Sequence, residues 1–202
     1  MHRLSRFLLA LLLLGVPAAA AEEPAPSLKG KFLVADPSMP DPRFAGAVVY
    51  LIAQSKEQGA VGIVINRPGA ERALGDVMRA LGLATEDGKG AVTKIALFWG
   101  GPVQTDHAFF LHTDEFKVAS TTAIAPGVAL SQPKDVLEAI AAGRPPKQML
   151  MAVGYAGWSP GQLERELESK GWAVIEAGAD LLFGGNHAGK WERAWKMRTQ
   201  EL

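Results

Sequence analysis

The sequence predicts an α+β protein, a mixed and largely antiparallel sheet with flanking helices. Three observations point there. Apolar, β-branched runs follow one another at hairpin spacing, with helical segments interspersed among them rather than alternating strictly with strands, which disfavours a doubly wound parallel sheet. The chain of 202 residues is 48% hydrophobic and 21% charged, the balance of a folded core rather than of a disordered chain. No repeat and no internal linker divides the part after residue 27, so a single domain over 28–202 is expected.

The first residues have a different composition. Arg3 and Arg6 precede a Leu/Ala-rich run from Phe7 to Val16; Pro17 breaks it, and Ala18–Ala21 supplies small residues for cleavage. That is the layout of a secretory signal peptide, and an apolar run of about ten residues is too short to cross a bilayer. Residues 1–21 are therefore read as a signal cleaved near Ala21, and 22–27 as an extended linker. The mature protein is expected to be periplasmic or secreted, bacterial, with no membrane span after cleavage. Losing Arg3 and Arg6 from twenty-one basic and twenty-one acidic residues leaves a net charge of −2. This lacks the basic excess of a phosphate-binding surface, so no nucleic-acid partner is expected. The chain has no cysteine, hence no disulfide to staple it and no thiol to carry a lipid anchor.

Lys31–Asp36 is the first apolar run, ended by a proline-spaced loop at 37–42. Ala47–Gln54 and Ala60–Asn66 are separated by five residues ending in glycine, an antiparallel hairpin whose near-continuous apolarity predicts burial on both faces. "NRPG" (Asn66–Gly69) reads as a turn. Leu74, Val77, Met78 and Leu81 then fall at helical spacing, with Gly82 as the stop. A polar loop, "TEDGKG" at 85–90, leads to strands at Lys94–Trp99 and His107–Thr113, followed by two short β runs at Lys117–Ala123 and Val128–Ser131. Pro133 opens a helix with inner face Val136, Leu137 and Ile140, closed by Gly143. Gln148–Ala156 is an apolar strand. In Ser159–Gly171, Ser159 is the expected N-cap, Pro160 the first helical residue, Gln162 the partner in a capping box, and Gly171 the stop. A strand at Trp172–Ala177 and a helix at Gly189–Arg198 complete the chain.

Chemistry is sparse. The glycines of "WGGPV" (Trp99–Val103) could expose backbone N–H groups as an anion nest, but neither a phosphate-loop nor a dinucleotide fingerprint is present. A connector with positive φ angles is the plainer reading. His107 and His112 stand five apart, which places them on opposite faces of a regular strand, so they do not share a metal. With four histidines and no cysteine, no metal and no cofactor are expected. No nucleophile elbow or S-x-x-K pattern occurs. Asp36 and Asp41 could pair as acid and base, although aspartates beside prolines more often form turns. "GYAGW" (Gly154–Trp158) sets Tyr155 and Trp158 before a helix start, where rings beside N–H donors could cradle a ligand. Arg67 could grip a carboxylate or phosphate.

Together "FLVADPSMPDPRFAGAVVYL", "GAVGIVINRP", "WGGPVQTDHAFFLHT", "GYAGWSPGQLERELESKGW" and "ADLLFG", in this order from residue 28 onward, resemble the YqgE/AlgH family. The resemblance implies a bifurcated sheet curled into a pseudo-barrel with helices outside, and no established activity. One branch is linked by name to regulation of alginate production. Typical members begin almost directly at the "FLVA" strand, so the leader sets this chain apart.

A ligand site is expected where three strand ends gather, with Asn66, Arg67, Gly100, Gly101, Pro102, Tyr155 and Trp158 as its residues. Two functions fit. The first is a non-catalytic regulatory module that binds a small ligand or a partner protein in the periplasm. The alternative is a hydrolase-type enzyme that uses Asp36 or Asp41 with His107 or His112.

Overall fold

The computed structural model describes residues 27–83 and 93–198; the leader, most of the linker and the 85–90 loop lie outside them. Phe32–Ala35 (β1) is buried at every position, and its side chains alternate between two cores. Phe32 and Val34 join one cluster, Leu33 and Ala35 the other. Val48–Ser55 (β2) and Gly59–Val64 (β3) form the expected hairpin, antiparallel with Tyr50 opposite Ile63. The first five residues of β2 are buried, as an apolar run without alternation requires.

Asn66 and Arg67 turn the chain, but Pro68–Ala73 then forms an edge strand (β4) where only a turn is expected. All its residues but the last are exposed, so "PGAERA" shows no apolar period, and a proline is tolerated where no ladder donor is needed. Leu74–Ala80 (α1) buries Leu74, Val77 and Met78. Lys94–Trp99 (β5) pairs antiparallel with β4. Val103–Thr113 (β6) starts four residues earlier than expected, because Gln104–His107 form an exposed bulge with Gln104 at φ 47°. Thr122–Ala125 (β7) and Val128–Ser131 (β8) follow. The expected strand over Lys117–Ala123 is displaced: Thr121 Oγ1 accepts the Val118 N–H at 2.8 Å and folds that stretch into a turn.

Pro133–Ala141 (α2) buries Val136, Leu137 and Ile140, and Met149–Trp158 (β9) runs on through the whole "GYAGW" segment. Gln162–Glu168 (α3) is capped by Gly161, not Ser159, whose hydroxyl makes no cap bond. Half of the capping box survives, since the Ser159 N–H donates to Gln162 Oε1 at 3.1 Å. At the other end Lys170, at φ 59°, takes the left-handed position expected of Gly171. Trp172–Ile175 (β10), a five-residue helix at Ala179–Phe183 (α4) and Lys190–Met197 (α5) complete the chain.

The strand order is β10-β1-β2-β3-β9-β6-β8-β7, with β4 and β5 branching off. β9 is the branch point. β6 pairs along one edge of it, from Met149 to Tyr155. The other edge is shared: Met151–Val153 pairs parallel with β5, and Ala156–Trp158 antiparallel with β3. The sheet thus forks and curls into a half-barrel. α4 and α5 cover one core, α3 the second, and α1 and α2 the third.

Candidate functional site

The fork gathers the three segments named from the sequence, although "GYAGW" lies within β9 and not beyond its end. The Gly100 N–H donates to the Val153 carbonyl at 2.8 Å and the Gly100 carbonyl accepts the Val64 N–H at 2.9 Å, while the Trp99 N–H donates to the Arg67 carbonyl at 3.0 Å. Such closeness needs bare backbone. At Gly101, φ is +150° and a Cβ would lie 2.1 Å from the Tyr155 carbonyl carbon; at Gly154, φ is +74° and a Cβ would lie 2.3 Å from the Gly101 oxygen. The glycine pair therefore serves chain crossing, and the Gly100 donor of the supposed anion nest is already engaged.

Asn66 and Arg67 work indirectly. Asn66 Oδ1 accepts the Val48 N–H and Asn66 Nδ2 donates to the Gly46 carbonyl, both at 2.9 Å. Arg67 donates to the Ala45 carbonyl at 2.9 Å and lies 5.4 Å from the Trp99 ring centre. Both pin the end of the loop that joins β1 to β2.

That loop forms the lip of a cleft of about 380 Å³ between β6, β9 and α3, with Met39, Phe44, Pro102, Trp158, Glu166 and Trp172 among its walls. Its rings interlock: Trp158 meets Trp172 edge-on at 5.9 Å, and Phe44 meets Trp172 edge-on at 5.6 Å. Both indole N–H groups donate to one oxygen, Glu166 Oε2, at 2.8 Å each, and Gln162 Nε2 donates to Glu166 Oε1 at 2.9 Å. Among the described residues no ion pair includes Glu166. Asp41, at the lip, is gripped by Arg43 through its side chain and its N–H, which holds its carboxyl below the usual range.

Pro102 and Trp158 line this cleft, Asn66 and Arg67 support its lip, and Gly100 and Gly101 make the crossing behind it. Tyr155 stands apart. Three residues from Trp158 along one strand, it takes the other face, packs edge-on to Phe109 at 5.8 Å and belongs with a different core. The expected Tyr155–Trp158 cradle is not formed; the partner of Trp158 is Trp172. Phe44, Glu166 and Trp172 are not among the site residues expected from the sequence, although all three fall within the quoted motifs.

The residues of the hydrolase alternative have separate surroundings. Asp36 accepts the Ser38 hydroxyl and N–H, a turn that lowers its carboxyl pKa, with the hydroxyl bond as the main cause. His107 is exposed on the bulge beside Asp106, 2.9 Å away. His112 is fully buried, 2.8 Å from Ser131 Oγ and 3.0 Å from the Thr113 carbonyl, and burial pushes its imidazole pKa down. A hydroxyl, an imidazole and an orienting carbonyl in series have the geometry of an activated nucleophile. Ser131 is only 4% exposed, however, and Thr121 Oγ1 approaches it from the remaining side at 2.9 Å.

Similar sequences and the same fold recur in other proteins. A UPF0301 protein of Methylococcus capsulatus is 43% identical over 167 residues, 83% of this chain and 89% of that one. One from Caulobacter vibrioides is 41% identical over 169 residues, 83% and 85% of the two chains. The solution structure of the AlgH protein from Pseudomonas aeruginosa aligns with a TM-score of 0.71 at 37% identity, covering 88% of this chain and 92% of that one. A crystal structure of a Corynebacterium diphtheriae protein shares the fold at 24% identity and a TM-score of 0.65, covering 87% and 88%. Residues 32–202 match the family model described as AlgH-like. On the family model, the sequence identities and the shared fold, the chain belongs to the AlgH-like family of UPF0301 proteins, whose function is uncharacterised.

Proposed function

We propose that this protein is a non-catalytic regulatory module of the bacterial periplasm that holds a small ligand or a partner's side chain in the aromatic cleft. One observation carries the reading: Glu166, Trp158, Trp172 and Gln162 are locked together by three side-chain hydrogen bonds around a cavity of ligand size. Pre-set walls of this kind reduce the ordering cost of binding, and a concave, mostly apolar pocket with a few fixed polar groups is the usual form of a small-molecule site. Each ionisable group of the hydrolase alternative is engaged in a turn, a surface pair or a buried network, which favours binding over turnover. Export rests on the leader.

Two measurements test the reading. Native mass spectrometry of protein isolated from its own periplasm should show a bound species, or a captured partner, that is lost in Val103→Trp, because Val103 lines the cleft from an exposed position and a larger side chain there fills it. An equal signal in that variant places the ligand elsewhere. N-terminal sequencing of the periplasmic protein should begin within a residue or two of Ala21, and recovery of Met1 would refute cleavage.

A further inference from the structure

We propose that the cleft takes a small organic cation of the quaternary-ammonium class, an inference that rests on the binding reading above and names its ligand. The argument begins with lone pairs. A carboxylate offers about four acceptor sites. On Glu166, Oε2 holds two indole donors and Oε1 holds the Gln162 amide, so the group has most of its hydrogen-bonding capacity filled by neutral donors. Its negative charge has no cationic side chain bonded to it among the described residues. Asp41, the other cleft carboxylate, is saturated by Arg43 on both oxygens and contributes little net charge.

Arg43 and Asp41 line the cleft as an ion pair, with the guanidinium 5.9 Å from the Phe44 ring centre, so the uncompensated charge of the cleft is the one negative charge of Glu166, beside the rings of Trp158 and Trp172. A primary ammonium brings three donors that need acceptors and a tight hydration shell. A quaternary ammonium brings charge without donors, sheds water readily, and is attracted to the faces of aromatic rings through the π-system and to the carboxylate through space. A carboxylate or phosphate ligand meets the wrong sign. A neutral apolar ligand would fit the walls but leave the Glu166 charge desolvated and unpaired, which is costly.

The test compares choline with its neutral isostere 3,3-dimethylbutan-1-ol on the mature protein, followed by the indole Nε1–H NMR signals of Trp158 and Trp172. Choline should shift both signals saturably and bind at least about ten-fold more tightly than the isostere. Methylammonium should bind more weakly than tetramethylammonium. In Glu166→Gln, which keeps the side-chain shape, the preference for choline over the isostere should vanish. Equal affinity for choline and isostere in the parent protein, which needs no variant to fold, would overturn the cation class. If both probes then vanish in Val103→Trp, the binding reading survives that loss. If neither probe binds the parent, and Val103→Trp keeps the native ligand, the class and the site fall together.

Discussion

Lys190 supplies a sharp test of how this fold holds a charge. Its side chain is 3% exposed, its amine donates to the Leu182 carbonyl at 2.6 Å, and the Ile65 carbonyl lies 3.5 Å away. Among the described residues no carboxylate is bonded to it; Arg193, nearby, carries the same sign and is itself paired with Asp180. Burial is the main cause that pushes the amine from 10.5 down to about 8, with Arg193 adding to it. Below the folded pKa the native protein must hold a buried positive charge; between about 8 and 10.5 the unfolded chain binds a proton that the native state has released. Stability must therefore rise with pH across this window.

At 1.36 kcal/mol per pK, the displacement from 10.5 to about 8 is worth about 3 kcal/mol in full, of which about 2 kcal/mol is gained between pH 7 and pH 9.5. Other groups intrude little on the rise between pH 7 and 9.5, since the opposing contribution from Tyr50 grows only as pH nears its unfolded value of 10.0. The imidazoles of His112 and His187 are pushed down by burial, away from it, and the Tyr50 phenol is pushed up to about 12. Urea denaturation at pH 7, 8 and 9.5 reads the slope directly. Lys190→Met, which keeps the length of the stem but cannot titrate, should flatten it whatever its absolute stability. A parent protein equally stable at pH 7 and 9.5, or a variant with an unchanged slope, would refute the reasoning.

Other expectations follow from single contacts. Gly101→Val should destabilise the fold by more than about 2 kcal/mol in urea, since the new side chain meets strained φ and the Tyr155 backbone together, whereas Gly185→Ala, with open space around it, should stay within about 0.5 kcal/mol. Ser159→Ala should change the stability measured in urea by less than about 0.5 kcal/mol, because no cap bond is lost, while Gln162→Ala should cost about 1 kcal/mol or more through its bonds to Ser159 and Glu166. On the acid side, the depressed pKa of His112 means that the unfolded chain takes a proton the native core resists. Stability should therefore fall as pH drops from 7 toward 5, and His112→Asn should show a shallower fall in the same titration.

What the sequence makes legible follows from what its side chains must bury. Phe32–Ala35 and the first half of β2 stand out because every position is apolar and every position is buried. Strand β4 does not, because an edge strand exposed along nearly all its length has no hydrophobic period to display. The gathering of "NRP", "GGPV" and "GYAGW" was legible in the density of glycine and proline after apolar strands, although the glycines answer to backbone crossing rather than to a ligand. Glu166 was hidden for a different reason. In one dimension it is a glutamate on a surface helix beside Glu164 and Glu168, and only the fold swings Trp158 and Trp172 onto the same oxygen. Tyr155 and Trp158 look like a pair in the sequence, but both lie in β9, whose alternation sends them to opposite faces.

The fork and the cleft are one construction. A strand with β6 along one edge has a single edge left, and β9 divides it between β5 and β3 on either side of Gly154. β3 and β5 cannot both continue alongside β9, so their ends diverge, and the loop after β1 folds over the β3 side. Asn66 sits at that divergence. One side chain, bonded to the Val48 N–H and the Gly46 carbonyl, fastens the end of β3 to the loop that carries Phe44. Arg67 repeats the fastening one residue on, through Ala45, while its guanidinium lies against Trp99, which itself packs 6.3 Å from Phe44. The residues that looked most like ligand grips in the sequence are thus the ones that hold the cleft's aromatic lip in place. Any ligand contact falls instead to rings and a carboxylate that look ordinary until the sheet divides.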